Sequence, residues 1–402
     1  MPTRTYGIAG VAYSDNLGDG IIAECLQFAI KQNRPSAEIE IIDISGRTEY
    51  SHEVVRNKSA KLAMLRRMPK WCANLVMAAG ISKIALRSSR TIWRPKLKAV
   101  DALVIGGGHL LLDKHLNFPI KLAVLSRLAK AESVPVALHA VGVSTHWSSI
   151  ALKLFRPLVL RAADARVSVR DRQSANLLTS HLNRPEMPVE VVRDPGVLAS
   201  RMYGLPAGEG VIDVAINLSD PSELATYSDE AGGDYGTEFY VATWLKIITA
   251  LITEGRSITV FTNGAIEDEA FKAVIVEALG AQLPNPLIHI APRPTIPSDL
   301  AAIISRHKVL VAHRLHANVI GYSYGLGLVG LLWDSKLASF FESVSLSSAC
   351  ISARDFGPDR ILDAIRRAPH PNSADRMKVM DEAHADVEQT LRALDLAVEQ
   401  KA

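Results

Sequence analysis

Strand-type apolar runs alternate with helix-type periodicity twice along this chain, and that alternation limits the fold more than any other feature. The first series of strands reads Thr5–Tyr13, Glu38–Ile44, Asp101–His109, Pro135–Val143, Ala165–Asp171 and Val189–Pro195. Helical patterns over Ile21–Ile30, Phe118–Ala131, Ile150–Ala163 and Ser174–Ser180 separate them. A second series follows at Val211–Asn217, Ser257–Phe261, Leu287–Ile290, Val309–Ala312 and Leu328–Trp333. Its helices fall near Tyr240–Ile252, Asp268–Leu279 and Pro297–Ser305. Strands joined through helices pair in parallel, so each series predicts a doubly wound sheet. Glycine and proline break the pattern at Tyr203–Gly210, the expected linker. The prediction is an α/β protein of two Rossmann-like doubly wound domains facing a cleft. They cover residues 1–204 and 210–372, and a charged C-terminal helix covers 373–402.

A chain of 402 residues, 48% hydrophobic and 22% charged, has material for two ordinary cores. Cys25, Cys72 and Cys350 are far apart and form no CxxC pair, which argues against disulfides and structural zinc. No apolar run reaches the roughly 18 residues that cross a bilayer. Met1-Pro-Thr-Arg-Thr-Tyr6 leads straight into a strand and has no signal-peptide pattern. The expected compartment is the cytoplasm.

Charge is unevenly placed. Between Val54 and Lys98 lie 12 of the 45 basic residues and none of the 42 acidic ones, so the remainder is net acidic. This 54–98 insert reads as helical. Met64, Met68, Trp71, Met77 and Trp93 are interleaved with Arg66, Arg67, Lys70, Lys83, Arg87 and Arg90, and Leu62, Leu65, Leu75 and Ala78 supply part of an apolar face. Basic amphipathic helices rimmed by tryptophan suit an anionic membrane surface, and a solvated helical pair is the plainer alternative. Nucleic acid is not expected, because no reader motif is present.

The candidate chemistry lies at strand ends. In open α/β sheets, ligands sit at the carboxyl edge of the strands. Val309–Ala312 runs into His313, Arg314 and His316, and Ala165–Val169 delivers Arg170 and Asp171. Two arginines suit a small ligand with carboxylate or phosphate groups, and histidine moves protons near neutral pH. Asp171 would hold an arginine or form an ordinary surface pair. Strand alternation turns His313 and Arg314 to opposite faces, which makes His313 a supporting residue. Asn16, Gly18 and Asp19 lie in a loop opening a helix, where backbone N–H groups can receive an anion or sugar hydroxyls. Asp19 is equally a helix cap. Gly106, Gly107 and Gly108 end the third strand and permit close approach of a ligand or another backbone. No Gly-x-Ser-x-Gly or His-Glu-x-x-His occurs, and no spacing argues for a metal.

Taken in order, Asn16-Leu-Gly-Asp19, Gly106-Gly-Gly108, Val169-Arg-Asp171 with Ser174 and Leu178, Asp194-Pro195, and His313-Arg-Leu-His316 resemble the polysaccharide pyruvyl transferase family. Gly325, Gly327, Trp333, Asp334-Ser-Lys336 and Phe340-Phe341 extend the resemblance, which spans about residues 10 to 345. It implies a GT-B-like architecture and transfer of pyruvate from phosphoenolpyruvate to a sugar as a cyclic ketal. Arg170, Arg314 and His316 would then line the phosphoenolpyruvate site with Lys336, on the C-terminal domain's donor side. Within that scheme we expect His316 to carry a proton and Asp19, on the acceptor side, to receive one from the sugar. The implied partners are phosphoenolpyruvate as co-substrate, with no other cofactor, and a saccharide, lipid-linked or free, of an exopolysaccharide precursor. Two features depart from the pattern: the 54–98 insert, and His109-Leu110-Leu111 after the glycines. Two alternatives stay open. A nucleotide-sugar glycosyltransferase of the same architecture would need a carboxylate on the ribose, for which Asp334 is the stand-in; the other is a non-enzymatic assembly scaffold. The C-terminal helix either packs back on the first domain or joins two chains as a homodimer.

Overall fold

The computed structural model describes residues 3–50, 70–204, 211–227 and 235–401. It contains two parallel six-stranded sheets, one in each of two compact units. The first unit holds β1 (Thr5–Gly10), β2 (Glu38–Asp43), β3 (Ala102–Gly106), β4 (Val136–Val141), β5 (Val167–Val169) and β6 (Glu190–Val191). Their spatial order is β2-β1-β3-β4-β5-β6. Tyr6 stands opposite Ile39 on one side and Ala102 on the other. β3 and β4 are buried along their whole length. Helices cover both faces of such a sheet, which is why β3 reads as an unbroken apolar run and β4 is interrupted only by His139. The helices are α1 (Leu17–Asn33), α2 (Lys70–Ser88), α3 (Arg94–Ala99), α4 (Asn117–Ala131), α5 (Ser149–Ala162) and α6 (Arg172–Leu182). A π-helical turn, Ser89–Trp93, joins α2 to α3.

Trp93 corrects one expectation. Its indole does not sit at a rim: the residue is 0% exposed, packs in the first unit's core and donates through Nε1 to the Asp43 carbonyl at 3.0 Å. A large aromatic with its N–H satisfied is better placed in a core than in water. Much of the remaining membrane pattern, Leu62 to Met68 and the side chains of Lys70, Trp71 and Leu75, lies outside what the structure describes.

The second unit holds β7 (Ile212–Asn217), β8 (Ile258–Phe261), β9 (Ile288–Ile290), β10 (His307–Ala312), β11 (Gly327–Leu331) and β12 (Cys350–Ile351), in the order β12-β11-β10-β7-β8-β9. Its helices are α7 (Ala199–Tyr203), α8 (Pro221–Tyr227), α9 (Thr237–Thr253), α10 (Ile266–Leu279), α11 (Pro297–Ser305), α12 (Leu315–Tyr324), α13 (Ser335–Ser343) and α14 (Pro358–Arg366). α15 (Ser373–Glu399) closes the chain.

The boundaries differ from the sequence reading. The first unit ends at Pro195, not near 204, because Val197 to Tyr203 packs with the second. There Ser323 Oγ donates to the Val197 carbonyl at 2.7 Å and accepts from Ser200 N at 2.8 Å. Most of the expected linker lies outside the described residues. Asp15–Ile21, which includes the first turn of α1, belongs with the second unit, whereas Glu382–Ala402 belongs with the first. The C-terminal helix therefore packs back on the first unit: Arg166 donates to Thr390 Oγ1 at 2.9 Å, and Arg34 pairs with Glu388 at 2.7 Å.

Three buried histidines give the fold a pH limit. Burial, with Arg166 nearby, pushes His139 down to about 3; burial lowers His307 to about 4; burial and the Arg314 charge lower His313 to about 3. In the folded chain they stay neutral, while in the unfolded chain they take up protons near pH 6.5. Stability contributed by neutral burial is therefore intact above pH 6.5 and falls as the pH drops towards 4. Each histidine is expected to cost about 2 kcal/mol between pH 6.5 and 5. Urea midpoints measured across that range should fall, and His307→Gln should flatten the slope.

Candidate active site

In the second unit the chain runs from β7 to β8 and β9 on one side of the sheet, then returns to place β10 on the other. The switch point lies between β7 and β10, where strand ends diverge and leave a crevice. Arg314 and His316 follow β10 at this point. Arg314 is the extended N-cap residue of α12. Asn318 pins the turn by donating to the carbonyls of Ala312 at 3.2 Å and Arg314 at 3.0 Å.

Asp268, on the first turn of α10, was not singled out by sequence. It is 0% exposed and accepts from Arg314 Nη2 at 2.6 Å and Nε at 3.0 Å. Its Oδ1 also accepts from Asp220 N at 2.8 Å. Burial opposes the Arg314 charge, but Asp268, then Glu223 and Asp19, more than restore it, so its pKa is raised. The guanidinium is thus permanently charged and fixed in direction. With Nε and Nη2 held by Asp268, the Nη1 end of the guanidinium is left for a ligand.

Asn16 and the first turn of α1, through Asp19, join this site from the other end of the sequence. Leu17 N donates to the Asn263 carbonyl at 3.0 Å, at the end of β8. Gly264, at φ +94°, lets the loop approach: a Cβ there would lie 3.0 Å from the Asp15 carbonyl. Gly18 faces His316 so closely that a Cβ would lie 2.6 Å from the histidine Cβ and 2.8 Å from Nδ1. Arg314, His316 and the loop of Asn16, Gly18 and Asp19 therefore form one group, all in the second unit. Asp19 lies on the same unit as the arginine, not on the N-terminal domain as its sequence position suggested.

His313 faces elsewhere. It is buried among Tyr240, Trp244 and Phe356, with ring centroids 6.1, 6.3 and 5.5 Å away. Its carbonyl accepts from Trp333 Nε1 at 2.7 Å, and it lines a small pocket with Tyr235, Tyr240 and Phe356. Lys336 pairs with Asp334 at 2.9 Å and stands 5.7 Å over the Trp333 ring. Asp334 also caps α13, accepting from Leu337 N at 3.1 Å.

The first unit has its own switch point between β1 and β3. Gly107 and Gly108 there have φ of +73° and +78°. A Cβ on Gly107 would overlap Ile22 of α1, so this glycine is needed for packing whatever else it does. Arg170 follows β5 with its side chain mostly covered, Nε 3.5 Å from Asp171, and its Nη2 has no hydrogen-bond partner among the described residues. Asp171 is chiefly the cap of α6, accepting from Ser174 N at 2.6 Å. A Cβ on Gly142 would lie 3.0 Å from Arg170 Nη2 and 2.6 Å from His109 Nδ1, so that glycine makes room for both side chains.

Comparison with known proteins decides the family. The family model described as polysaccharide pyruvyl transferase matches residues 16–335. The chain belongs to that family. It is a transferase, and the matched span includes the Asn16–Asp19 loop, Arg170, Arg314 and His316. No curated protein matches the chain. Among solved structures, a UDP-N-acetylglucosamine 2-epimerase superposes with a TM-score of 0.54 at 10% identity, covering 99% of this chain and 96% of that one. UDP-GlcNAc 2-epimerase from Methanocaldococcus jannaschii gives 0.53 at 11% identity, covering 94% and 98%. MnaA from S. aureus, solved with UDP, gives 0.53 at 10%, covering 97% and 94%. At such identities the likeness is one of fold alone, and the fold is the GT-B type. Among the described residues, no helix is long and apolar enough to cross a membrane.

Proposed function

We propose that this family member moves pyruvate from phosphoenolpyruvate onto a sugar of an exopolysaccharide or other cell-surface glycan precursor, as a cyclic ketal, releasing phosphate. The observation that supports it most is the seating of Gly18 against His316 beside the anchored Arg314. A fixed cation and a proton-carrying group at one strand switch point match a donor that is an anion and must be protonated at carbon. Phosphoenolpyruvate is such a donor.

In this reading His316 delivers a proton to the methylene carbon. The carbon that bears the phosphate becomes oxocarbenium-like, and one sugar hydroxyl adds to it. Phosphate then leaves, and a second hydroxyl closes the ring. Of the two hydroxyl protons, one ends on the new methyl group and one on phosphate, so the overall step needs no oxidant. Arg314 neutralises the donor's charge and favours phosphate departure, as fixed cations do where charge develops. Arg170 is assigned to the donor as well, on the strength of its buried, unpaired Nη2. Lys336 is assigned a supporting role, since Asp334 already holds it. Asp19 accepts the acceptor's hydroxyl proton.

The glycosyltransferase reading is less well supported. The carboxylate it would need on a ribose, Asp334, is committed to the α13 cap and to Lys336. Calorimetry separates the two: phosphoenolpyruvate should bind and UDP- or ADP-sugars should not. With His316→Gln, turnover should fall about 10²- to 10⁴-fold while phosphoenolpyruvate affinity changes little. Wild-type turnover would remove the histidine from proton transfer.

A further inference from the structure

We propose that the helical layer on one face of the N-terminal sheet is a docking surface for an anionic lipid bilayer. The argument starts from topology. The steps β2 to β3, β3 to β4, β4 to β5 and β5 to β6 all cross the sheet in one direction. Right-handed crossovers then place α2 to α6 on the same face, whereas the reverse step from β1 to β2 sends α1 to the other. The contacts agree: α2 packs on α4, α4 on α5, and α5 on α6.

Not one Asp or Glu occurs in α2, the π-helical turn, α3, α4, α5 or α6. Each of these elements carries Lys or Arg. Lys83, Arg87 and Arg90 are exposed on successive turns, and Arg127, Lys153 and Arg156 are exposed on the neighbouring helices. None of the six has an ion-pair partner among the described residues. The opposite side differs: α15 sets Glu388 and Asp395 on Arg34, just past the end of α1, and Glu382 on Arg193. The acid-free helices thus lie together on one side of the sheet and extend well beyond residues 54–98.

Aliphatic side chains decide which anion this face meets. Ile84 and Leu86 on α2 and Ile150 on α5 are 50%, 55% and 54% exposed within the basic layer. Protruding aliphatics among Lys and Arg gain from burial at the headgroup–acyl boundary, while a nucleic acid backbone offers them nothing. The partner is therefore a bilayer with acidic headgroups. The inference is independent of the reaction proposed above, because binding is read without turnover.

The test is sedimentation of the full chain with vesicles of phosphatidylcholine, with and without phosphatidylglycerol. Binding is expected only with phosphatidylglycerol and should weaken as salt rises. Each basic residue near the surface is worth about fivefold in partition. Lys83→Glu/Arg87→Glu/Arg90→Glu should therefore lose at least about a hundredfold, and Ile84→Ser/Leu86→Ser should also bind more weakly. Lys246→Glu, in the other unit, should bind as wild type. If the triple variant does not fold, Arg87→Glu alone should lose about fivefold or more. The proposal is overturned if wild type ignores phosphatidylglycerol, or if the charge-reversed chain binds as well as wild type. It is also overturned if the Ile84→Ser/Leu86→Ser variant binds vesicles unchanged while duplex DNA competes them off, which would mark a general polyanion surface.

Discussion

Gly18→Ala should lower turnover about a hundredfold and leave the protein folded. The new methyl would lie 2.6 Å from His316 Cβ and 2.9 Å from Cγ, closer than real carbon atoms approach. Because the nearest histidine atom is the Cβ, rotating the ring does not relieve the contact; either the start of α1 or the start of α12 has to shift. Displacing a reacting group by about 1 Å costs around 10²-fold in rate. Gly18 is the second residue of α1, where alanine suits the helix, so the fold itself has little to lose. The measurement is kcat beside a thermal melt. A normal kcat would mean that the position of His316 does not matter to the reaction, and a lost melt would mean that the loop is a folding element.

Asp268→Asn should cost about 3–5 kcal/mol of stability, because it strips the carboxylate from a guanidinium that is mostly buried. Asparagine keeps an oxygen for Asp220 N, so the loss isolates the ion pair from the backbone bond. Arg314→Met should cost a similar amount by leaving the buried carboxylate unpaired. Combined, Asp268→Asn/Arg314→Met should recover much of that loss, since no lone charge stays buried. The double variant should still fail to bind phosphoenolpyruvate. That split, regained stability without regained binding, is what separates an arginine held for a ligand from one held only for the fold. Urea titrations of the four forms, followed by calorimetry on the double variant, provide the comparison.

The fold was legible where the physics is local or periodic. Fully buried parallel strands such as Ala102–Gly106 and Val136–Val141 must be almost wholly apolar, and the helices between them leave no other pairing. The polar residues at strand ends were legible for the same reason: Arg170, Arg314 and His316 follow apolar runs that stop abruptly. What the sequence hid depends on packing between distant segments. Asp268 looks like any acidic residue in a helix first turn, where the macrodipole alone would favour it. Only the meeting of β10 with α10 turns it into the anchor of Arg314. Asp19 follows the first strand, which placed it with the N-terminal domain, yet Asn263 and Gly264 draw its loop to the second unit. Trp93 sits among lysines and arginines, and helical spacing does not distinguish a residue turned to the core from one turned outward. The gathering of acid-free helices on one side of the N-terminal sheet could not be read at all before topology assigned each helix to a face.

The central claim is the transfer of pyruvate from phosphoenolpyruvate, and one assay meets it directly. The purified chain is incubated in deuterated water with phosphoenolpyruvate and lipid-linked or free oligosaccharides drawn from the source cells, then followed by mass spectrometry and phosphate release. The account predicts a saccharide bearing a pyruvyl ketal whose methyl group contains a single solvent deuterium, with phosphate released in equal amount. Phosphoenolpyruvate left unconsumed, while a nucleotide sugar extends the same saccharides, would contradict it.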